Sequence, residues 1–442
     1  MTTSHLILVT GATGYIASRL IPRLLEAGHR VRVLARRPRH LEGRSWSKHV
    51  EIFSGDVMDA TSLAPAMKGV HTAYYLIHNM SSGRGYTERE LDGARNFAQA
   101  AEDAGVQHII YLGGLADPEQ HIASHMRSRI ETGITLRQGK VPVTEFRASV
   151  IAGSGSISFE MIRFMTELFP IVPGPAWFKN RSQPIAIQNV IDYLIAALNN
   201  PNGRGHVFEI GGPQVAYYRD LMLTYARVRG LKRRLIILPY IPLWFMGLGV
   251  SLATPVPFLI AYALIGGLSR DSVVKHPEAR TVFPEVKLID FDSATRDVLA
   301  QLHPAHVERV WDDGRGGVKI LKHEGFFIIH REVQVQALPE KVFESLLPLA
   351  AKKGWQVESS EPAQRLLIRR SHTVGEEWLE WRISRKDVST RITQTSFFAP
   401  RGLGGFLYWY FRFPFHALNL RGLIQTIAHE SQKPDFQGKS GS

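Results

Sequence analysis

The sequence predicts a doubly wound parallel α/β domain followed by a smaller α+β domain of the helix-grip kind. Three observations carry this. Short apolar runs alternate with helix-period patterns through the first 150 residues. The first run stops on a small-residue loop, Thr10-Gly11-Ala12-Thr13-Gly14, and passes at once into a helical pattern. From Phe326 onward the pattern changes to alternating strands around one amphipathic helix.

The elements follow in order. LILV (6–9) reads as a strand, and a helix near 15–27 is closed by Gly28. RVRVLA (30–35), VEIFSGD (50–56), TAYYLI (72–77), HIIYLG (108–113) and VTEFRAS (143–149) read as further strands. Helical patterns lie near 60–67, 87–104 and 122–139. Strands buried on both faces read as continuous apolar runs, and helices between them imply right-handed crossovers and a parallel sheet.

The loop at 10–14 has a physical purpose in such a sheet. A glycine-rich turn lets the backbone approach a diphosphate, and the free N–H groups of the next helix meet its charge. A Cβ at Gly11 or Gly14 would block that approach or the turn. The nucleotide is read from the end of the second strand. An acid there would bond the ribose hydroxyls of NAD. The sequence instead has VLARRPRH, with Arg36, Arg37 and Arg39, which suits a 2′-phosphate. NADP(H) is therefore the expected cofactor, with Arg36 as the phosphate ligand and Arg37 either beside it or solvated.

Composition narrows the classes. With 442 residues the chain is long enough for two or three domains, and 44% hydrophobic content is that of a core-building protein. The absence of cysteine excludes disulfides, thiolate metal sites and a cysteine nucleophile, and fits a reducing, cytoplasmic setting. The first apolar run is four residues long and lacks a basic leader, so a signal peptide is not expected. The net charge of +13 suggests an anionic partner. No recognition motif for nucleic acid is present, and the histidines show no metal-ligand spacing, so neither nucleic acid nor metal is expected.

TGATGYIA resembles the cofactor loop of the short-chain dehydrogenase/reductases, in particular the atypical NmrA-like branch, a Rossmann-fold group. GDVMD (55–59), YLGGL (111–115), RSRIETG (127–133) and QPIAIQNVIDYLIAAL (183–198) are similar to segments of that branch. The resemblance spans about residues 5–300. It implies that Thr10, Thr13, Tyr15 and Ile16 join the two glycines around the cofactor. Asp56 and Val57 would hold the adenine, and Leu76 and Gly113 would complete the site. It also implies a Tyr-x-x-x-Lys pair on the helix after the fifth strand, with a serine on that strand's end. His125 and Arg129 match the pair, and Gly113 and Gly114 stand at the serine. One helical turn places His125 and Arg129 on one face, as proton donor and ribose anchor. The other reading makes both surface residues of a basic helix.

From Leu235 to Ser269, 35 residues pass without Asp, Glu, Lys, Arg or His. Pro239, Pro242, Pro255 and Pro257 cut the stretch into pieces too short to span a membrane. Two readings stand. One is a buried substrate cap. The other is a cap that also touches a membrane, with the cations of RVRGLKRR (227–234) facing anionic lipid. Both imply a hydrophobic small molecule or lipid as partner.

Residues 303–324 read as a polar linker. Beyond it, FFIIHREVQVQ (326–336) alternates as a strand, LPEKVFESLLPLAAKKGW (338–355) reads as an amphipathic helix, and strands follow at 365–371, 377–384 and 389–398. An aromatic helical stretch ends the domain near residue 432, and 433–442 reads as a disordered tail. GEEWLEWRI and PFHALNLRGLI resemble the DUF2867 module, which is similar to the START-like lipid-binding fold. Phe406, Tyr408, Trp409, Tyr410, Phe411 and Phe413 either line a pocket there or weld the helix to its sheet. The expected organisation is a nucleotide-binding domain over 1–302 and the second domain over 325–432. Three functions fit: an NADP(H)-dependent oxidoreductase, an NADP(H)-bound sensor or membrane-peripheral assembly protein, and a lipid carrier.

Overall fold

A computed structural model describes the chain except residues 1–3, 43, 79–84, 118–121, 239–240, 255, 269, 308–318, 351–353, 387 and 434–442. The expected tail and the middle of the expected linker thus lie outside the described residues. The chain divides into two compact units. One runs through Gln301, apart from Glu167–Pro170, and the other holds those four residues and most of the chain from Leu302.

In the first unit, β1 (Leu6–Thr10), β2 (Arg30–Ala35), β3 (Glu51–Ser54), β4 (Thr72–Tyr75), β5 (His108–Gly114), β6 (Val143–Ala148) and β7 (Val207–Ile210) form one sheet. Every pairing is parallel, in the order β3-β2-β1-β4-β5-β6-β7. The helices α1 (Tyr15–Glu26), α2 (Ala60–Met67), α3 (Tyr86–Asp103), α4 (Ser124–Arg137), α5 (Ile157–Leu168) and α6 (Ile187–Asn199) connect and cover it. The doubly wound prediction therefore holds. Strand periodicity explains the two cores. Ile7 and Val9 enter one with Leu20, Phe146 and Tyr193, while Leu8 enters the other with Leu34, Tyr75 and Phe97. Each such side chain, fully buried, contributes about 1.5–3 kcal/mol. The strand order reverses between β1 and β4, where doubly wound sheets open a crevice at their carboxyl edge.

After α7 (Tyr218–Arg229), the uncharged stretch forms two short helices, α8 (Leu243–Ala253) and α9 (Phe258–Gly267). Pro242 and Pro257 stand at their N-caps, where proline is tolerated. Val250, Ala261 and Ile265 turn inward onto Met161 of α5. Trp244, Phe245, Leu252 and Leu259 stay exposed, at 58%, 58%, 70% and 64%. Among the described residues, no helix is long and apolar enough to cross a membrane. The unit closes with α10 (Phe291–Ala300).

The second unit holds β8 (Lys319–His323), β9 (Phe326–Val335), α11 (Pro339–Ala350), β10 (Gln356–Glu361), β11 (Arg365–His372), β12 (Gly375–Lys386), β13 (Ser389–Pro400) and α12 (Gly402–Ser431). Its sheet is antiparallel throughout, ordered β8-β9-β13-β12-β11-β10. Two strands depart from the sequence reading. Residues 319–323 are not linker: they pair with β9 across a two-residue turn whose members, Glu324 and Gly325, both have positive φ (49° and 85°). Gln356–Glu361 is a largely exposed edge strand without apolar alternation, which leaves it no periodic signal. On α12, Phe406 and Trp409 are core residues. Trp409 stacks on Phe327 at 5.1 Å and on Phe398 at 5.5 Å. Phe411 and Tyr410 point outward, 77% and 50% exposed.

Candidate active site

The crevice between β1 and β4 is shaped by backbone. Gly11 has φ +68°, and a Cβ there would lie 2.5 Å from the Leu76 carbonyl oxygen. Gly14 closes the turn by donating to Gly11 O at 2.7 Å and then serves as the N-cap of α1. No side chain caps that helix, and its first turn carries no acid. Thr13 and Gly14 are exposed beside it. The result is an open helix N-terminus reached over glycine, which fits a diphosphate. Thr10 serves the fold: its hydroxyl donates to Tyr74 O (2.9 Å) and accepts from Leu76 N (3.1 Å), tying β1 to β4.

Arg36 and Arg37 follow β2 directly and are exposed. Neither makes an ion pair or side-chain hydrogen bond among the described residues, so both guanidinium groups are available to an anion. Asp56 Oδ1 accepts from Met58 N at 3.1 Å in a local turn. The Val57 side chain is buried, close under Gly93 of α3, and its carbonyl accepts from Asn96 Nδ2 at 3.0 Å.

Beside the helix N-terminus lies a cavity of about 320 Å³. Tyr15, Ile16, Gly113, His125 and Arg129 all line it. Arg36, Arg37, Asp56 and Val57 do not, nor do Thr10, Gly11, Thr13, Gly14 and Leu76. Much of the wall is apolar, with Met161 from α5, Val250 from α8 and Ile265 from α9. His125 is 3% exposed, so it is not a surface residue. Its ring lies where a Cβ on Gly267 would sit, 2.8 Å from Cε1. Burial, helped by the charge of Arg129, pushes the imidazole down to about 4, so it is neutral at pH 7. Arg129 is tethered to β5, donating from Nη2 to Leu112 O at 2.9 Å. The Tyr111 hydroxyl in turn donates to Arg129 O at 2.9 Å.

A further group on the cavity escaped the sequence reading. His78, just beyond β4, lines the same space. Its Nδ1 lies 2.8 Å from Oε1 of buried Glu90, and the hydroxyl of buried Ser128 donates to Glu90 Oε2. The signal was present in α3: an acid shares the buried face with Gly93, Ala94, Phe97 and Ala101. A carboxylate on an apolar helix face is costly unless partnered.

The topology sets the class: a parallel sheet in this order, opened by a glycine turn where β1 meets β4, is a doubly wound dinucleotide fold. Residues 3–156 match the NmrA-like family, and residues 331–423 match DUF2867, a protein family of unknown function. The chain is also 31% identical over 255 residues to (4-alkanoyl-5-oxo-2,5-dihydrofuran-3-yl)methyl phosphate reductase of Streptomyces griseus, covering 56% of this chain and 79% of that protein. It belongs to the NmrA-like family of atypical short-chain dehydrogenase/reductases, with a DUF2867 domain at its C-terminal end. Ceramide reductase of Caulobacter vibrioides is 26% identical over 52% of this chain and 73% of its own length. Among solved structures, the NADP(H) complex of Citrobacter sp. triphenylmethane reductase superposes with a TM-score of 0.53 at 19% identity, over 66% of this chain and 99% of that one. The Escherichia coli NADPH-dependent quinone oxidoreductase QOR2 gives 0.53 at 15%, with the same coverage. Both likenesses are of fold.

Proposed function

We propose that the protein is an NADP(H)-dependent oxidoreductase that transfers hydride to or from a hydrophobic, lipid-like small molecule. The observation that carries this is the meeting of two features at Tyr15 and Ile16: the glycine-turned helix start and the largely apolar cavity of about 320 Å³. The cofactor supplies the hydride when bound. The chain supplies the rest. Gly11 and Gly14 keep the turn clear of side chains so that the start of α1 meets the diphosphate, with Thr13 beside it, and Arg36, with Arg37 next to it, faces the 2′-phosphate. Asp56 stands toward the adenine, Gly113 leaves room at the end of β5, and His125 and Arg129 border the reacting end. Reductases of an alkanoyl-bearing furanone and of ceramide among the relatives support an acyl-bearing substrate.

The outer faces of α8 and α9 support a peripheral membrane contact. Trp244, Phe245, Leu252 and Leu259 are exposed there, and the exposed cations Lys232 and Arg234 precede them in the chain. A substrate could then pass from lipid to the cavity walled by the inner faces of the same helices. A second reading, a cofactor-bound sensor, is favoured by one observation: Arg129, at the position of the expected lysine, is tethered to Leu112 O. Mass spectrometry of nucleotide and lipid co-purified with the protein, followed by NADPH oxidation with that lipid fraction, separates the two. Turnover supports the oxidoreductase; tightly held nucleotide without turnover supports the sensor.

A further inference from the structure

We propose that His78, held by Glu90 and Ser128, is the proton-transfer group of this site; the inference rests on the oxidoreductase reading above. His78 stands beyond the end of β4, on the carboxyl edge of the sheet, and lines the cavity together with Tyr15 and Gly113. Position alone would not distinguish it from His125. The difference lies in what holds each ring.

Glu90 is 5% exposed on an otherwise apolar helix face. Both of its oxygens are engaged, Oε1 by His78 Nδ1 at 2.8 Å and Oε2 by the Ser128 hydroxyl. A carboxylate only accepts, so Nδ1 carries the His78 proton. That fixes the tautomer and leaves Nε2 to exchange a proton. Among the described residues Nε2 has no hydrogen-bond partner, and it is shielded from bulk solvent. A buried polar nitrogen beside a cavity is placed to meet a ligand or a water there. His125 is held differently. Among the described residues its Nδ1 has no partner, so no carboxylate there selects its tautomer. Among the described residues, the titratable and charged groups facing His78 are Glu90 from α3 and His125 and Arg129 from α4. Burial and Arg129 lower its proton affinity, and the bond to Glu90 opposes them. The carboxylate-imidazole arrangement is the usual means of orienting a histidine for proton transfer.

In the reducing direction, protonated His78 gives its Nε2 proton to a carbonyl oxygen while the carbonyl carbon takes hydride from the reduced nicotinamide. The π pair of the carbonyl becomes the new O–H bond, and the hydride pair becomes the new C–H bond. The substrate is reduced to an alcohol and the nicotinamide is oxidised. His78 is left neutral, its Nδ1–H still on Glu90, and regains a proton from water. The reverse reaction uses the same nitrogen as base. Glu90 and Ser128 are positioning residues in this scheme.

The test uses the full chain, labelled with ¹⁵N-histidine and saturated with NADP⁺. The His78 signals are assigned by their loss in His78→Gln. The expected spectrum near pH 7 shows Nδ1 protonated and Nε2 bare, and Glu90→Gln abolishes that preference. In parallel, NADPH oxidation is followed with dodecanal and 2-dodecanone. His78→Gln should lower kcat by roughly 10²- to 10⁴-fold with the NADPH Kd unchanged. Glu90→Gln should lower kcat and move the His78 limb of the pH profile to lower pH, an effect that loss of packing alone would not produce. A neutral His78 ring that carries its proton on Nε2, or that mixes the two tautomers, overturns the proposal in the wild type. So does an active wild type whose kcat survives His78→Gln. A wild type that binds NADPH and reduces neither probe removes the oxidoreductase reading and the proposal with it.

Discussion

The carbonyl oxygen of Leu76, at the end of β4, fills the space that a side chain on Gly11 would need: the two would be 2.5 Å apart. The left-handed backbone of Gly11, φ +68°, adds a second demand for glycine. Gly11→Ala should therefore destabilise the first unit by well over the roughly 1–2 kcal/mol of the backbone conformation alone. It should also abolish NADPH binding. Gly28→Ala is the control, since Gly28 has φ +82° and nothing lies within 4 Å of where its Cβ would stand. It should lose about 1–2 kcal/mol and keep NADPH affinity. Thermal unfolding and fluorescence titration with NADPH read both.

Arg36 leaves β2 exposed and unpaired among the described residues. Replacing it with Glu should weaken NADPH binding by roughly tenfold to a hundredfold, the range of one charge-assisted hydrogen bond. NADH binding should hold or improve. Equal NADPH affinity in the variant would remove Arg36 from the 2′-phosphate.

Buried histidines set the acid stability. Thr144 has one hydroxyl proton, and it goes to Gly203 O at 2.7 Å. His108 Nε2 must then donate in its 2.8 Å contact with Thr144 Oγ1. Burial pushes His108 down to about 3 from 6.5. Between those values the unfolded chain holds the extra proton, so stability is full above pH 6.5 and falls as pH drops toward 3. The loss is of order 4 kcal/mol for this group. Denaturant unfolding from pH 7 to 4 should show the decline, and His108→Gln, which removes one of these titrations, should make it shallower, with His125 carrying part of the remainder.

Two aromatic residues of one helix should behave oppositely. Trp409, stacked between Phe327 and Phe398, should cost about 3–5 kcal/mol as Trp409→Ala. Phe411, 77% exposed, should be near neutral as Phe411→Ser. Differential scanning calorimetry of the two variants checks this.

The outer face of α8 and α9 makes a separate claim. Trp244→Glu with Leu252→Glu should leave the unfolding midpoint in place, because both residues are more than half exposed. It should reduce co-sedimentation with phosphatidylglycerol vesicles at least fivefold. Unchanged sedimentation would assign that face another role.

What was legible in the sequence follows from how each feature is encoded. The parallel strands announce themselves because both faces are buried, which makes continuous apolar runs such as Leu6–Val9 and His108–Gly113. The glycine turn is equally plain, although Leu76, which excludes a side chain at Gly11, lies 65 positions away and no local pattern reveals it. β8 escaped because a short polar strand before Glu324-Gly325 looks like linker until it pairs. The His78–Glu90–Ser128 group joins three elements through one carboxylate, and only folding brings them together. His125 and Arg129 come from the resemblance to the family's Tyr-x-x-x-Lys pair, which cannot tell that one is buried and the other tethered to a carbonyl.

Isothermal titration of the purified chain with NADPH and, separately, NADH tests the nucleotide cradle itself. One NADPH per chain should bind, at least tenfold more tightly than NADH. Absence of binding by either nucleotide, or tighter binding of NADH, would contradict it.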